Sequence, residues 1–162
     1  MPRPRASIDT AALAAAFAEG GLHGTSIEQV VAAAGVARPT LYARGGDKEE
    51  LFALAVEAEV ERLIERFEGG VGQIAAALDA YLDSEPGARL LLVTARPGSP
   101  RVERSLRRIP VALESAVGDE EIAAVLLGAA WSALHDGPSV TRVARLLPAR
   151  VDSGPPRGIW TA

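Results

Sequence analysis

The chain has 162 residues, the size of one average domain or two very small ones. With 48% hydrophobic residues, 23% charged residues and a net charge of −4, it is neither a disordered chain nor one whose whole surface coats nucleic acid or anionic lipid. It has no cysteine, which excludes disulfides, thiolate metal sites and thiol nucleophiles, and its 31 alanines lean the composition towards helix.

Gly20-Gly21, Gly35, Gly45-Gly46, Gly69-Gly70, Pro97-Gly98, Gly118 and Gly137-Pro138 punctuate the chain. Between them apolar residues recur at helical spacing, with no sustained strand alternation. The spacing predicts a first helix over residues 7–19, with Ile8, Ala12, Ala16 and Phe17 on one face. Thr25-Ser26-Ile27-Glu28 reads as a capping box in which Thr25 accepts from an orphan N–H and Glu28 reaches back. It opens a second helix over 26–34. Gly35 suits the left-handed position after it, with Val36 as the apolar contact. A very short third helix ends by Arg44, with Arg38 as its N-cap and Pro39 at its first position. Asp47-Lys48-Glu49-Glu50 is a second capping box. It opens a long fourth helix with an apolar stripe at 51, 52, 55, 56, 60, 63, 64 and 67.

Val71, Ile74, Ala75, Leu78, Tyr81 and Leu82 mark a fifth helix, and a sixth is expected over 85–95 with Pro86 at its start. A seventh runs from Ser99-Pro100 to about Val117, kinked or broken at Pro110. Asp119-Glu120-Glu121 open an eighth, where three acids favour the helix dipole. A short ninth covers 139–147, and the tail with Trp160 reads as irregular. The expected class is all-α with about nine helices. The longest run without a charged residue or histidine, 122–134, falls short of the roughly 20 residues of a membrane span. Asp9 interrupts the layout of a signal peptide, so the expected location is cytoplasmic.

The second helix, the turn at Gly35-Val36 and the third helix form a helix-turn-helix candidate, a motif whose second helix enters the major groove. The strings Phe17-Ala18-Glu19-Gly20-Gly21-Leu22, Thr25-Ser26-Ile27, Ala34-Gly35-Val36-Ala37-Arg38-Pro39-Thr40-Leu41-Tyr42 and Lys48-Glu49-Glu50-Leu51 stand in register over about 45 residues. In them the chain resembles the N-terminal domain of the tetracycline-repressor (TetR) family. Beyond the fourth helix the resemblance is one of helix count and size.

The resemblance implies a homodimeric, ligand-responsive transcription factor that binds double-stranded operator DNA. It implies a three-helix DNA-binding domain over 1–46 and a C-terminal helical domain for effector binding and dimerisation over 47–162. Thr25 and the start of the second helix would meet phosphate. Arg38, Pro39 and Thr40 would lie at the groove-facing start of the third helix, Tyr42 and Lys48 would hold the DNA backbone, and Arg44 occupies a position that often contacts DNA. Helix N-termini bind anions and arginine reads guanine bidentately, so the residue types suit these roles. Arg3 and Arg5 form a short basic arm ahead of the first helix. Residues 1–48 hold five Lys/Arg against four Asp/Glu, and residues 49–162 hold twelve against seventeen, so the basic residues are relatively enriched at the DNA-facing end.

Two positions depart from the family pattern. Ala37 stands where a Ser or Thr usually caps the third helix, and Gly45 stands where an aromatic residue usually anchors it. They keep two other readings open: a helical dimeric binding module with weak or lost sequence-specific DNA binding, and a constitutive DNA binder without an effector. Arg101, Arg104 and Arg108 share one face of the seventh helix, read as a solvated face before an anion-binding one. Tyr81, Trp131, Thr94 and Arg96 are candidates equally for a cavity lining, the core or the surface. His23 is expected exposed and His135 at a helix C-terminus as a dipole partner. No metal site, cofactor or coherent catalytic set is read from the residues, and Glu57 and Glu61 show ordinary helical surface spacing.

Overall fold

The computed structural model describes residues 8–35, 37–39, 46–84, 86–95 and 98–147. Among them the chain is all-α: α1 (Thr10–Gly24), α2 (Ile27–Ala34), α3 (Lys48–Ile64), α4 (Val71–Ser84), α5 (Pro86–Arg89) with a π-helical turn (Leu90–Thr94), α6 (Pro100–Val117), α7 (Glu120–Ala133) and α8 (Val140–Ala144). The helices expected as fourth to ninth are α3 to α8. Arg38 and Pro39 are helical, and the rest of the expected third helix, with Thr40, Tyr42 and Arg44, lies outside the described residues, as do Arg3, Arg5, Val36, Gly45, Arg96 and Trp160.

The helices gather into two compact units, one of Met1–Leu63 with Ser84–Arg108, the other of Ile64–Asp83 with Ile109–Ala162. In the first, α1 packs on α2, α5 and the π turn. Leu13, Phe17, Val30, Ala34, Ala55, Val56, Val60 and Leu90 are fully buried at its centre. Phe17 meets Phe52 edge to face with ring centroids 5.1 Å apart, the preferred arrangement for two aromatic quadrupoles.

The first helix starts later than the apolar pattern predicts. Asp9 is its N-cap, with the carboxylate accepting from the Ala11 and Ala12 N–H groups at 3.1 and 3.0 Å. The last turn of α1 bends at Gly21, whose φ of 60° a residue with a Cβ rarely adopts. Side-chain hydroxyls bind the carbonyls around this bend. Thr25 donates to Gly21 at 2.8 Å and Thr94 donates to Ala18 at 2.8 Å. The expected sixth helix is divided, because after Arg89 the backbone widens into a π turn closed by the Ala95 N–H on the Leu90 carbonyl at 2.6 Å. Pro110 does not break α6, which runs through it to Val117.

In the second unit Ile74, Leu78, Tyr81, Leu113, Leu126 and Val140 are buried. Asp79 ties α4 to α8: its two carboxylate oxygens accept from the Val140 and Thr141 N–H groups at 2.7 and 2.9 Å, satisfying orphan donors of a five-residue helix. Phe67 lies beyond the end of α3 yet is buried, so the apolar stripe read for that helix outlasts the helix itself.

Candidate nucleic-acid interface

The corner between α1 and α2 is built by short polar side chains. Two capping boxes overlap in the sequence, Thr25 with Glu28 and Ser26 with Gln29. The structure uses the second. The Ser26 oxygen accepts from the Gln29 N–H at 3.2 Å, and the Gln29 side chain accepts from the Ser26 N–H at 2.8 Å. The expected cap at Thr25 is therefore corrected by one residue, and α2 starts at Ile27. The reason lies in the bend of α1. The Thr25 hydroxyl turns inward to the Gly21 carbonyl, and the residue is 3% exposed. At the other end of α2, Gly35 is left-handed (φ 65°, ψ 20°) and its N–H returns to the Ala32 carbonyl at 3.3 Å, the turn expected of it.

Past that turn Arg38 and Pro39 are exposed. Arg38 is already helical, so it does not act as the N-cap expected of it, and the helix begins without a side-chain cap at Ala37. The Arg38 guanidinium meets the Glu28 carboxylate at 2.5 Å. A backbone hydrogen bond at Glu28 itself and then this arginine hold the Glu28 carboxyl below its ordinary range. Lys48, in the first turn of α3, donates to the Thr25 carbonyl at 3.2 Å. Asp47 caps that helix through the Glu50 N–H at 2.8 Å, half of the second predicted capping box.

Of the seven residues expected to meet DNA, the structure thus brings Thr25 and Lys48 into contact, leaves Pro39 exposed beside Arg38, and joins Arg38 to Glu28. Thr40, Tyr42 and Arg44 lie outside the described residues. The pairing of Glu28 with Arg38 and the capping role of Ser26 were missed by the sequence reading. Ser-x-x-Gln was visible as a second frame, whereas nothing local pointed to a pair ten residues apart.

Residues 10–55 match the model of the bacterial regulatory proteins, tetR family. The match covers α1, α2, the turn and the start of α3, the segment in which the resemblance was read. No curated protein and no solved structure matches the chain. The tetR-family match and the all-helical fold support a DNA-binding regulator. Among the described residues no group of three or more His, Cys, Asp or Glu is placed to hold a metal ion, and no helix is long and apolar enough to cross a membrane.

The remaining candidates fall in several environments. Arg101 holds Glu57 through two bonds of 2.7 Å and Arg108 holds Glu61 at 2.6 Å, so this face of α6 is bound to α3 rather than simply solvated. Glu57 and Glu61, read as ordinary surface acids, are the other halves of these pairs. Tyr81 is core, 1% exposed, and Trp131 is surface, 55% exposed, while Thr94 borders a cavity. His23 is exposed. His135 bonds the Trp131 carbonyl through Nδ1 at 2.9 Å, as expected of a residue at a helix C-terminus.

Proposed function

We propose that the protein is a cytoplasmic, homodimeric transcriptional regulator that binds a palindromic operator and is released from it by a small molecule. The match of residues 10–55 carries this reading, and it includes α2 with the left-handed glycine that ends it. In the proposed division, residues 1–46 bind DNA and 47–162 take the effector and the second subunit. Arg38, Pro39, Thr40 and Arg44 face the groove, and Tyr42 and Lys48 hold the backbone. Thr25 contributes at most through its backbone, since its hydroxyl faces inward. Arg38 exchanges the Glu28 carboxylate for DNA, so Glu28 holds the guanidinium in place before binding.

Exposed Ala124, Val125, Gly128 and Trp131 of α7 recur on one side of the helix and supply an apolar face with two small residues for close approach of a second copy. Two recognition helices then meet half-sites about 34–36 Å apart or a multiple of that. The effector favours a conformer with a different spacing, a population shift carried by α3.

Mobility-shift measurements on fragments upstream of the protein's own gene, across a salt series, test the reading. One discrete, salt-sensitive species is expected. Arg38→Ala weakens it by about 1–3 kcal/mol, and Tyr42→Phe weakens it less. A species that neither variant weakens would refute the site assignment. The absence of any discrete species favours a binding module without sequence-specific DNA binding.

A further inference from the structure

A cavity of about 400 Å³ lies within the first unit, where the end of α1, the first turn of α3, the π turn and the start of α6 meet. This volume is within the range of small-molecule sites. Its walls are apolar side chains, Leu22, Phe52 and Val102. In its wall Gly21 brings no side chain: a Cβ there would stand 2.7 Å from the Thr94 methyl, and the φ of 60° disfavours any other residue.

Four polar side chains line it and differ in what they offer: the exposed His23 stands at the end of α1, on the wall opposite Glu49. Thr94 donates its hydroxyl to the Ala18 carbonyl, and the Ser99 oxygen accepts from the Val102 N–H at 3.3 Å. Glu49 is different: it is a carboxylate with no ion-pair partner among the described residues, at the edge of an apolar space. A neutral apolar guest would leave that charge unused, and an anionic guest would be repelled by it.

We propose that this cavity binds a small organic cation, an apolar body that fills the space against Phe52 and Val102 with an ammonium group against Glu49. The site also says how such a ligand acts, and only this step rests on the regulator reading above. Glu49 follows Lys48, whose ammonium holds the Thr25 carbonyl, and the opposite wall is the bend of α1 that holds the Thr25 hydroxyl. A guest between them bears on both sides of the contact that sets α3 against the α1–α2 corner.

Isothermal titration calorimetry of the full chain without DNA, using 4-phenylbutylamine, 4-phenylbutan-1-ol and 4-phenylbutyrate, separates charge from shape. The amine is expected to bind about fivefold tighter than the alcohol, and the acid weakest. Glu49→Gln, on the surface and harmless to the fold, brings the amine to the level of the alcohol. Leu22→Trp fills the cavity and abolishes all three, with a thermal melt to confirm folding. Equal affinities, an amine preference that survives Glu49→Gln, or no binding heat overturns the proposal. DNA binding is measured separately. Amine binding through Glu49 with no DNA binding upholds the site and defeats the regulator reading, while DNA binding without amine binding does the reverse. Where both occur, the amine is expected to lower DNA affinity about fivefold or more, and unchanged affinity overturns the coupling.

Discussion

In the first unit, charged side chains bridge helix to helix. Arg101 and Arg108 of α6 hold Glu57 and Glu61 of α3, Arg38 holds Glu28, and Arg62 joins the buried Glu59 while also donating to Thr10 of α1 at 3.3 Å. In the second unit the large exposed apolar side chains accumulate: Val111, Val125, Trp131 and Leu146 are the four such residues among those described, and all belong to it. Surfaces closed by ion pairs are well suited to water and to a charged partner. An apolar face without a cover suits another apolar face. The contrast supports the proposed docking of a second copy on the second unit, and it sets out how each unit is to be perturbed.

The largest effect is expected at the buried Glu59. Arg62→Met leaves the Glu59 carboxylate, 2% exposed, without its arginine and destabilises the protein by about 3 kcal/mol in urea unfolding. A loss below 1 kcal/mol would mean that Glu59 is held chiefly by other groups. The second unit has its polar weak point at Asp79. Asp79→Ala uncovers the Val140 and Thr141 N–H groups and costs about 2 kcal/mol, seen first as faster hydrogen exchange in α8. The half-exposed pairs matter less. Arg101→Gln and Arg108→Gln cost at most about 1 kcal/mol each, and 1 M salt erases most of the difference.

Acid probes the same pairs from the other side. Hydrogen bonds from Arg101 and Arg108 hold the Glu57 and Glu61 carboxyls below 4.5. Groups lowered in the folded state add stability above their unfolded value and lose it as pH falls through the folded one. Urea midpoints are therefore expected to fall below pH 4.5, and Glu57→Gln with Glu61→Gln flattens that decline. The smallest effect on folding comes from Trp131→Glu, under about 0.5 kcal/mol because the ring is already in solvent. Light scattering is nevertheless expected to read a monomer for this variant and a dimer for the parent. A dimer that survives moves the interface off α7.

Much of the fold was legible because helices announce themselves locally. Apolar spacing and glycine punctuation found α1 to α8, although α1 runs five residues past its expected end and the helix expected over 85–95 is divided, and the left-handed Gly35 was expected from a single residue type. The misses have two causes. Thr25 and Ser26 are equally good caps by composition, and the carbonyls of Gly21 and Ala16 at the bend of α1 drew the threonine inward. Arg101 and Arg108 look like any solvated arginines until α3 supplies Glu57 and Glu61, more than forty residues earlier.

The sequence by itself determined the helical class, the helix-turn-helix segment and the kind of partner its residues suit, since these follow from propensity, period and local spacing. Tertiary structure alone decided which charges pair from one helix to another, which apolar residues stay uncovered and where the cavity opens. Those depend on contacts between residues far apart in the chain, and no local pattern encodes which arginine meets a glutamate of another helix.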